Sequence, residues 1–438
     1  MTLTCGRSRW AVADRTAWPS RCAARADVDP ARAIADLREL AARTGGPDGA
    51  RRVCWTPEWE AARAFLRERV ASLGGPVEVS VDAAGNLWAV VAGRSPETVA
   101  LGSHVDSVPA GGWLDGALGV VAALEVLRGV AEEGSPPPRT VALVDWADEE
   151  GARFGRSLLG SSAFAGSLDV EAVRGLSDAE GVTLPDALAS YEVSVEEMSL
   201  AGVDRLDSLC AYLELHIEQG PVLEAEEQPC AAVVGCVGVE RHRVVFTGTA
   251  AHAGTTPMDR RADAGVAAAQ VMVGLPEIAS RHGGVSTAGQ LSLEPGIATA
   301  VPGEAELVVD QRHLDAGALS AMLSEAALLW ESAAVSENCS VKVERIWSIE
   351  PVPFHPGLVR AAREACVDAG GRDEPLPSGA LHDAAELARV VPAAMVFSSS
   401  VGGVSHSPSE DTAEADLQRA LVAFGTLATR VISDGVPS

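Results

Sequence analysis

The sequence has 438 residues, of which 47% are hydrophobic and 22% are charged, and its formal net charge is −27 at pH 7. This length and composition predict a soluble globular protein with more than one domain. The acidic balance argues against nucleic acid or an anionic membrane as a partner, because phosphate binding depends on clustered Lys and Arg. No apolar run reaches the roughly 18 residues of a membrane span. We therefore expect a cytoplasmic protein without a membrane segment.

Residues 1–28 contain several arginines but no continuous apolar run, so we predict a disordered extension rather than a secretory signal. Hydrophobic periodicity next predicts two helices, two strands that form a hairpin, a strand that ends at His104, a helix, a further strand and, after a long helical region, a strand that contains His216. The predicted helices span 30–41, 58–73 and 117–130, and the predicted strands span 77–82, 87–91, 99–104, 140–146 and 212–217.

The pattern changes near residue 237. Over 237–347 it indicates the order strand, helix, strand, strand, helix, strand, which is that of an inserted α+β domain of ferredoxin-like type. A helix over 357–369, a strand over 393–397 and a final helix over 412–431 then continue the first domain. The expected organisation is thus a catalytic domain built from 29–236 and 348–438, with 237–347 inserted.

Several apolar strands end in His or acidic residues, as metal ligands do at the carboxyl edge of a parallel sheet. A further acidic residue lies in a Gly-rich turn. The predicted metal ligands comprise three imidazoles and two carboxylates, a donor set that suits Zn²⁺, Mn²⁺ or Co²⁺. The candidates are His104, Asp115, His216, His406 and one of the neighbouring pair Glu149 and Glu150.

Residue spacing suggests a separate role for each of these groups. Asp106 lies two residues after His104 and leaves the same face of an extended segment, so we expect it to orient the imidazole of His104. Glu149 and Glu150 point in different directions, so one can bind metal while the other acts as general base. Asp115 is the natural bridge between two ions about 3.5–4 Å apart.

Two residues of the inserted domain are candidates for substrate binding. His252 lies in a Gly-rich turn over 250–259, where it would stabilise an oxyanion. Arg312 follows a strand over 305–311 and would bind a substrate carboxylate. Taken alone, such a His is more often an ordinary loop residue, and such an Arg is equally typical of a surface ion pair.

These motifs resemble the M20 peptidase clan, and within it the hydantoinase/carbamoylase branch of two-metal amidohydrolases. The resemblance covers about residues 30–435. It rests on the segments at 102–109, 115–116, 149–155, 214–221, 250–259 and 405–408.

The resemblance implies an α/β, two-metal aminopeptidase-like catalytic domain with an inserted ferredoxin-like lid and dimerisation domain. It assigns His104, Asp115 and His216 to one ion and Asp115, Glu150 and His406 to the other, with Glu149 as general base. The ions would be Zn²⁺ or Mn²⁺, with Co²⁺ or Ni²⁺ as alternatives. Residues matched to substrate-binding positions are Gln219, His252, Thr299, Arg312 and Gly379. The implied assembly is a homodimer formed through the inserted domain, in which His252 would serve the neighbouring subunit.

The expected activity is hydrolysis of an N-carbamoyl-L-amino acid, a small substrate with a carboxylate. Allantoate or ureidoglycolate hydrolysis, an M20 dipeptidase or deacylase, and a catalytically silent binding homologue are the alternatives. The chain departs from the pattern of the family at three places. Thr299 replaces an Asn, Leu381 replaces a Gly, and Trp113-Leu114 replaces Arg-Phe before Asp115.

Overall fold

The structure is a computed structural model that describes residues 28–438, so residues 1–27 of the predicted extension lie outside the described part. The chain forms two compact units. The first unit comprises the chain up to Val234 together with Phe354–Leu376 and His382–Ser438, and the second comprises Gly235–Pro353 and Pro377–Leu381. Free thiols at described positions include Cys54, Cys210, Cys230, Cys339 and Cys366.

Helices and strands alternate through much of the described chain. The helices are α1 (Pro30–Thr44), α2 (Pro57–Ala71), α3 (Ala117–Glu132), α4 (Leu159–Ala165), α5 (Val170–Arg174), α6 (Leu184–Ala189), α7 (Val222–Ala225), α8 (Ala264–His282), α9 (Ala316–Ser336), α10 (Pro356–Asp368), α11 (Asp383–Leu387) and α12 (Glu414–Asp434). The strands are β1 (Gly45–Gly46), β2 (Gly49–Ala50), β3 (Val77–Val81), β4 (Leu87–Val91), β5 (Ser95–His104), β6 (Arg139–Trp146), β7 (Leu209–Ile217), β8 (Cys230–Cys236), β9 (Gly238–Thr247), β10 (Ala251–His252), β11 (Val285–Glu294), β12 (Ala300–Val301), β13 (Glu304–His313), β14 (Ser340–Ile349), β15 (Val352–Pro353), β16 (Leu376–Ser378) and β17 (Ala393–Ser398).

A mixed sheet with the order β8-β17-β7-β5-β6-β4-β3 forms the core of the first unit. Its four central strands, β17, β7, β5 and β6, are parallel. The flanking strands β8, β4 and β3 pair antiparallel. The sheet is therefore mixed rather than purely parallel. The carboxyl ends of the four parallel strands still meet at one edge, which is where the sequence predicts the ligands.

Helix α3 packs against the parallel strands at close range. A Cβ atom at Gly119 would lie 2.4 Å from the main-chain oxygen of Leu215 and 2.6 Å from the Cβ of Ser103. Only glycine therefore allows this helix to approach β5 and β7 so closely. The approach matters for the site because α3 begins at Ala117, two residues after Asp115.

The second unit contains a four-stranded antiparallel sheet, in the order β11-β13-β9-β14, with helices α8 and α9 packed against it. This confirms the predicted ferredoxin-like order of elements. By length and composition α9 could cross a membrane, but Met322, Ala326 and Trp330 on this helix are buried in the unit's core.

Helix α8 is longer than the sequence predicts. Its helical pattern suggests an end at Val273, but the helix continues through Pro276 to His282. Leu275 and Ile278 are buried in the core of the unit, so packing extends the helix past the proline. The helix ends where Gly283 adopts a left-handed conformation with φ 74°.

Candidate metal centre

Four parallel strands bring most of the predicted ligands to one edge of the sheet. His104 is the last residue of β5, and His216 is the second-last residue of β7. Glu149 and Glu150 follow β6, and His406 follows β17. Asp115 lies in the turn before α3. The structure thus brings together residues that are far apart in the sequence, as expected for strands of one parallel sheet.

Asp115 lies between two groups of imidazoles. Its Oδ1 is 3.2 Å from Nε2 of His216 and 4.0 Å from Nε2 of His104. Its Oδ2 is 3.2 Å from Nε2 of His406, which is also 3.5 Å from Oε2 of Glu150. Within each group, one ligand atom per residue lies within 4.8 Å of the others. The two oxygens of one carboxylate therefore face two separate ligand groups.

Main-chain carbonyls orient two of the imidazoles. Nδ1 of His104 is 3.1 Å from the main-chain oxygen of Asp106, and Nδ1 of His216 is 3.0 Å from that of Ile217. A carbonyl oxygen only accepts, so we assign the hydrogen to Nδ1 in both rings. Nε2 is then the nitrogen that faces the ligand group in each ring, and it can bind a metal ion once it has lost its own proton.

Most of the candidate ligands are buried, whereas His406 is exposed, and the site is strongly charged. Burial raises the pKa of Glu149 well above its usual range and that of Glu150 to about 7. Burial opposes ionisation of Asp115 as well, but its bonds to His216 and His406 hold its pKa well below the usual range. The bond to Asp115 raises the pKa of His406 to about 9. These shifts are those of a compact set of acids and imidazoles that share protons where cations would otherwise be bound.

The carboxylate of Asp106 organises the turn that carries the two glutamates. It accepts hydrogen bonds from the main-chain N–H groups of Glu149 and Glu150, at 3.3 and 3.2 Å. Its Oδ1 is 3.5 Å from Nδ1 of His104, farther than the residue's own carbonyl oxygen. Asp106 thus lies beside His104, its main-chain oxygen is the nearer contact to the ring, and its carboxylate binds the turn of Glu149 and Glu150.

The predicted substrate ligand Gln219 contacts the bridging carboxylate. Its side-chain amide donates to Oδ2 of Asp115 and to Oγ of Ser405, each at 3.0 Å. Its backbone adopts a left-handed conformation, with φ 57°. Gln219 therefore lies beside the metal ligands, and its contact with substrate stays a prediction.

The other predicted substrate residues belong to the second unit. His252 lies close to Thr299, and Arg312 contacts Gly379. His252 pairs with Ala300 across β10 and β12, and the main-chain oxygen of Thr299 accepts a hydrogen bond from Ala253. Nδ1 of His252 accepts from the N–H of Gly254, so in the neutral ring Nε2 carries the hydrogen. Arg312 donates to the carbonyl oxygen of Gly379 at 2.7 Å and to Asp310. Within this unit, His252 can act as a donor and Arg312 is held in one orientation.

A third cluster, formed by Glu214, His216 and His382, was not predicted. Glu214 is fully buried. Its oxygens accept from Oγ of Ser103, from the Tyr212 hydroxyl and from the N–H of Ala384. Because these donors satisfy the carboxylate and His216 is directed at Asp115, we interpret this cluster as a hydrogen-bonded support beneath the ligands. The alternating strand over 212–217 was the available sequence signal.

Two more buried charges near the ligands were missed, Glu410 and Arg52. Glu410 lies four residues after His406, outside the motif at 405–408. The side chain of Arg52 is fully buried and donates from Nε to the carbonyl oxygen of Val105 at 2.6 Å. Nothing in the local pattern around Arg52 distinguishes it from the other arginines, so only the fold reveals its location.

The donor set fits a pair of divalent cations. Imidazole nitrogens and carboxylate oxygens are the ligands that Zn²⁺ and Mn²⁺ accept, and a shared carboxylate is the usual bridge between two ions. Together, the α/β fold and the two ligand groups around one aspartate define a metallohydrolase of the dinuclear class.

The comparisons identify the family within that class. The model of peptidase family M20/M25/M40 matches residues 100–430. The chain belongs to this family. It is 37% identical over 386 residues to the N-carbamoyl-L-amino acid amidohydrolase of Geobacillus stearothermophilus, covering 87% of this chain and 93% of that protein. It is 34% identical over 373 residues to the allantoate amidohydrolase of Escherichia coli K12, covering 84% and 90%.

Solved structures agree with the sequence comparison. The chain is similar to an amidase of the hydantoinase/carbamoylase family from Burkholderia multivorans, with a TM-score of 0.84 and 33% identity, and the match covers 93% of this chain and 98% of that one. This similarity confirms the predicted fold class.

Proposed function

We propose that the protein is a metal-dependent amidohydrolase that cleaves linear amide or ureido C–N bonds, with N-carbamoyl-L-amino acids as its substrates. The observation that carries the proposal is the division of the Asp115 carboxylate between His216 and His406, with Glu149 beside His104. The similarity to an N-carbamoyl-L-amino acid amidohydrolase over most of the chain supports the choice of substrate.

His104, Asp115 and His216 would hold one ion, and Asp115, Glu150 and His406 the other. We propose Zn²⁺ or Mn²⁺, with Co²⁺ or Ni²⁺ as alternatives. When bound, such ions polarise a carbonyl group and lower the pKa of water. All five residues have a nitrogen or oxygen directed into one of the two groups.

Glu149 is the proposed general base. Its Oε2 is 3.6 Å from Nε2 of His104, and the residue is 8% exposed. As water adds to the carbonyl carbon of the substrate, Glu149 takes the proton from that water. It then transfers the proton to the nitrogen that leaves when the C–N bond breaks. A raised pKa suits this double role, because the same carboxyl group must first accept and then donate a proton near neutral pH.

Substrate recognition is assigned to Gln219, His252, Thr299, Arg312 and Gly379. The guanidinium of Arg312, bound to Asp310 and to the carbonyl of Gly379, would pair with the carboxylate of the substrate. His252 would donate a hydrogen bond to the oxygen that gains negative charge. We further propose a cytoplasmic homodimer that forms through the second unit.

The test is ammonia release by purified protein that has been stripped of metal and then reloaded with Zn²⁺ or Mn²⁺. The panel consists of N-carbamoyl-L-amino acids, their D-enantiomers, allantoate, ureidoglycolate and, by amino-group release, dipeptides and N-acyl amino acids. We expect turnover of the N-carbamoyl-L-amino acids by the reloaded protein and none by the stripped protein.

The alternatives give different results on the same panel. Preferred turnover of allantoate, which the similarity to the E. coli enzyme favours as a second candidate, would replace the proposed substrate. Release from dipeptides or N-acyl amino acids alone would indicate a dipeptidase or deacylase. Absence of turnover on the whole panel would indicate a binding homologue.

A further inference from the structure

A buried carboxylate that belongs to neither ligand group lies beneath the turn of Asp115. Glu410 is 2% exposed. Its Oε1 accepts hydrogen bonds from the main-chain N–H groups of Leu114 and Asp115, each at 3.0 Å. One carboxylate oxygen therefore holds the backbone of the bridging residue at two consecutive positions.

The second oxygen of Glu410 contacts the other side of the site. Its Oε2 is 3.0 Å from Oγ of Ser405, the residue before His406. The same hydroxyl oxygen is 3.1 Å from Oδ2 of Asp115. Glu410 is thereby connected both to the main chain of Asp115 and, through Ser405, to its carboxylate and to the His406 segment.

Gly112 has no side chain where the carboxylate of Glu410 lies. A Cβ atom at that position would lie 1.9 Å from Oε1 of Glu410 and 2.0 Å from its carboxyl carbon. Any other residue there would displace the carboxylate. The absence of a Cβ atom at Gly112 is therefore what allows the carboxylate of Glu410 to lie there.

Burying another acid beside a cluster of acids is unfavourable unless its hydrogen bonds are specific. Those of Glu410 all lead to Asp115 or to the residues next to a ligand. We propose that Glu410 is a positioning residue that fixes Asp115 so that its two oxygens face His216 and His406 at the same time. The inference rests on the proposed function only where that function requires two bound ions, and it is independent of the substrate.

Metal titration tests this inference. Metal-free wild type and the variants Glu410→Ala and Glu410→Gln are titrated with Zn²⁺ in competition with a chromophoric chelator, and bound zinc is counted after dialysis. We expect Glu410→Ala to bind zinc about 10- to 100-fold more weakly. Glu410→Gln should retain most of the affinity, because its amide oxygen still accepts from Leu114 and Asp115. Glu414→Ala is the matched control, since Glu414 is a nearby exposed glutamate paired with Arg38.

Gly112→Ala provides a second variant that leaves every ligand and Glu410 itself in place. We expect it to weaken zinc binding as Glu410→Ala does, with an unchanged far-UV circular dichroism spectrum. If Glu410→Ala fails to fold, Gly112→Ala and Glu410→Gln decide the question.

Two ions bound with wild-type affinity by Glu410→Ala or Gly112→Ala would overturn the inference. Equal weakening of zinc binding by Glu410→Gln and Glu410→Ala would also overturn it. A positioning role requires that the amide oxygen in Glu410→Gln preserves the affinity. Failure of the proposed substrate looks different. Wild type would then bind two ions and release no ammonia from N-carbamoyl-L-amino acids, while the variants would still differ from it in zinc affinity.

Discussion

At the scale of single residues, the site is defined by which atom of each side chain is already engaged. Carbonyl oxygens bind Nδ1 of His104 and His216, so Nε2 faces the site in both rings. The carboxylate of Asp115 is shared between imidazoles, whereas Glu149 contacts only one of them, at 3.6 Å. Glu150 belongs to a ligand group and Glu149 to neither, which separates the residues suited to hold cations from the one suited to move a proton.

The variant Glu149→Gln tests that separation. An amide has the size of the carboxyl group but accepts no proton, so kcat should fall by about 10²- to 10⁴-fold. Bound metal should stay at the wild-type level. Ammonia release and elemental analysis measure the two quantities, with the exposed Glu132→Gln as matched control. Wild-type turnover in Glu149→Gln would show that another group is the base.

Proton release on metal binding follows from the pKa of His406, which lies at about 9 in the metal-free protein. Below that pH the ring carries a proton that must leave before Nε2 binds a cation, so metal affinity should rise with pH up to about 9, by at most about tenfold per pH unit for each proton released. Calorimetry in two buffers of different ionisation enthalpy measures the released protons.

The matched control is His282→Ala, because His282 lies in the second unit and pairs with Glu325. It should release the same number of protons as wild type. Metal binding at pH 7 without any proton release would contradict the raised pKa of His406.

At the scale of elements, the sequence predicted the parts that depend on local pattern. The strands that end at His104 and Trp146 alternate or run apolar, and their ends carry the acids and imidazoles. The sequence pattern does not predict β8, and it sets no bounds for β11, whose Ser, Thr, Gln and Gly interrupt the apolar pattern. Pairing with β13 makes β11 a strand, and pairing is a long-range property.

The site shows the same division between local and long-range information. Each predicted ligand is marked by its own strand end or turn. The residues missed, Glu214, Glu410 and Arg52, are marked only by what they contact, and those contacts join segments that are remote in the chain, such as Ser103 with Glu214. Sequence pattern therefore indicates the candidate ligands better than it indicates the residues that contact them.

Close packing of α3 gives a prediction at this scale. Gly119→Ala should lower the free energy of unfolding by about 1–3 kcal/mol, because the added methyl group overlaps Leu215 and Ser103. Chemical denaturation measures the change. Gly74→Ala is the control, since a Cβ atom there meets nothing within 4 Å. Equal stability of the two variants would show that α3 can shift without cost.

At the scale of the whole molecule, the acidic composition and the buried acids both favour the binding of cations. The formal net charge is −27, and several of the acids are buried at one edge of the sheet. Bound cations would neutralise part of that charge, so folded protein should be stabilised by metal in proportion to its affinity.

Removing metal tests this coupling. A chelator should lower the thermal midpoint of unfolding, and added Zn²⁺ or Mn²⁺ should restore it. At a metal concentration 1,000 times Kd the stabilisation amounts to about 4 kcal/mol. Differential scanning calorimetry makes the measurement, with chelator already saturated with metal as control. An unchanged midpoint would mean that the acids are equally stable without cations.

The left-handed backbone of Gln219 and His406, with φ 57° and 53°, has a consequence for protein engineering. Each conformation costs roughly 1 kcal/mol relative to glycine. A redesign for heat resistance would therefore select both positions for replacement by glycine. In each case the replacement would remove the side chain that contacts Asp115. Stabilising substitutions should instead be sought away from these two positions. At each of them glycine would favour thermal stability, whereas the present side chain favours metal binding.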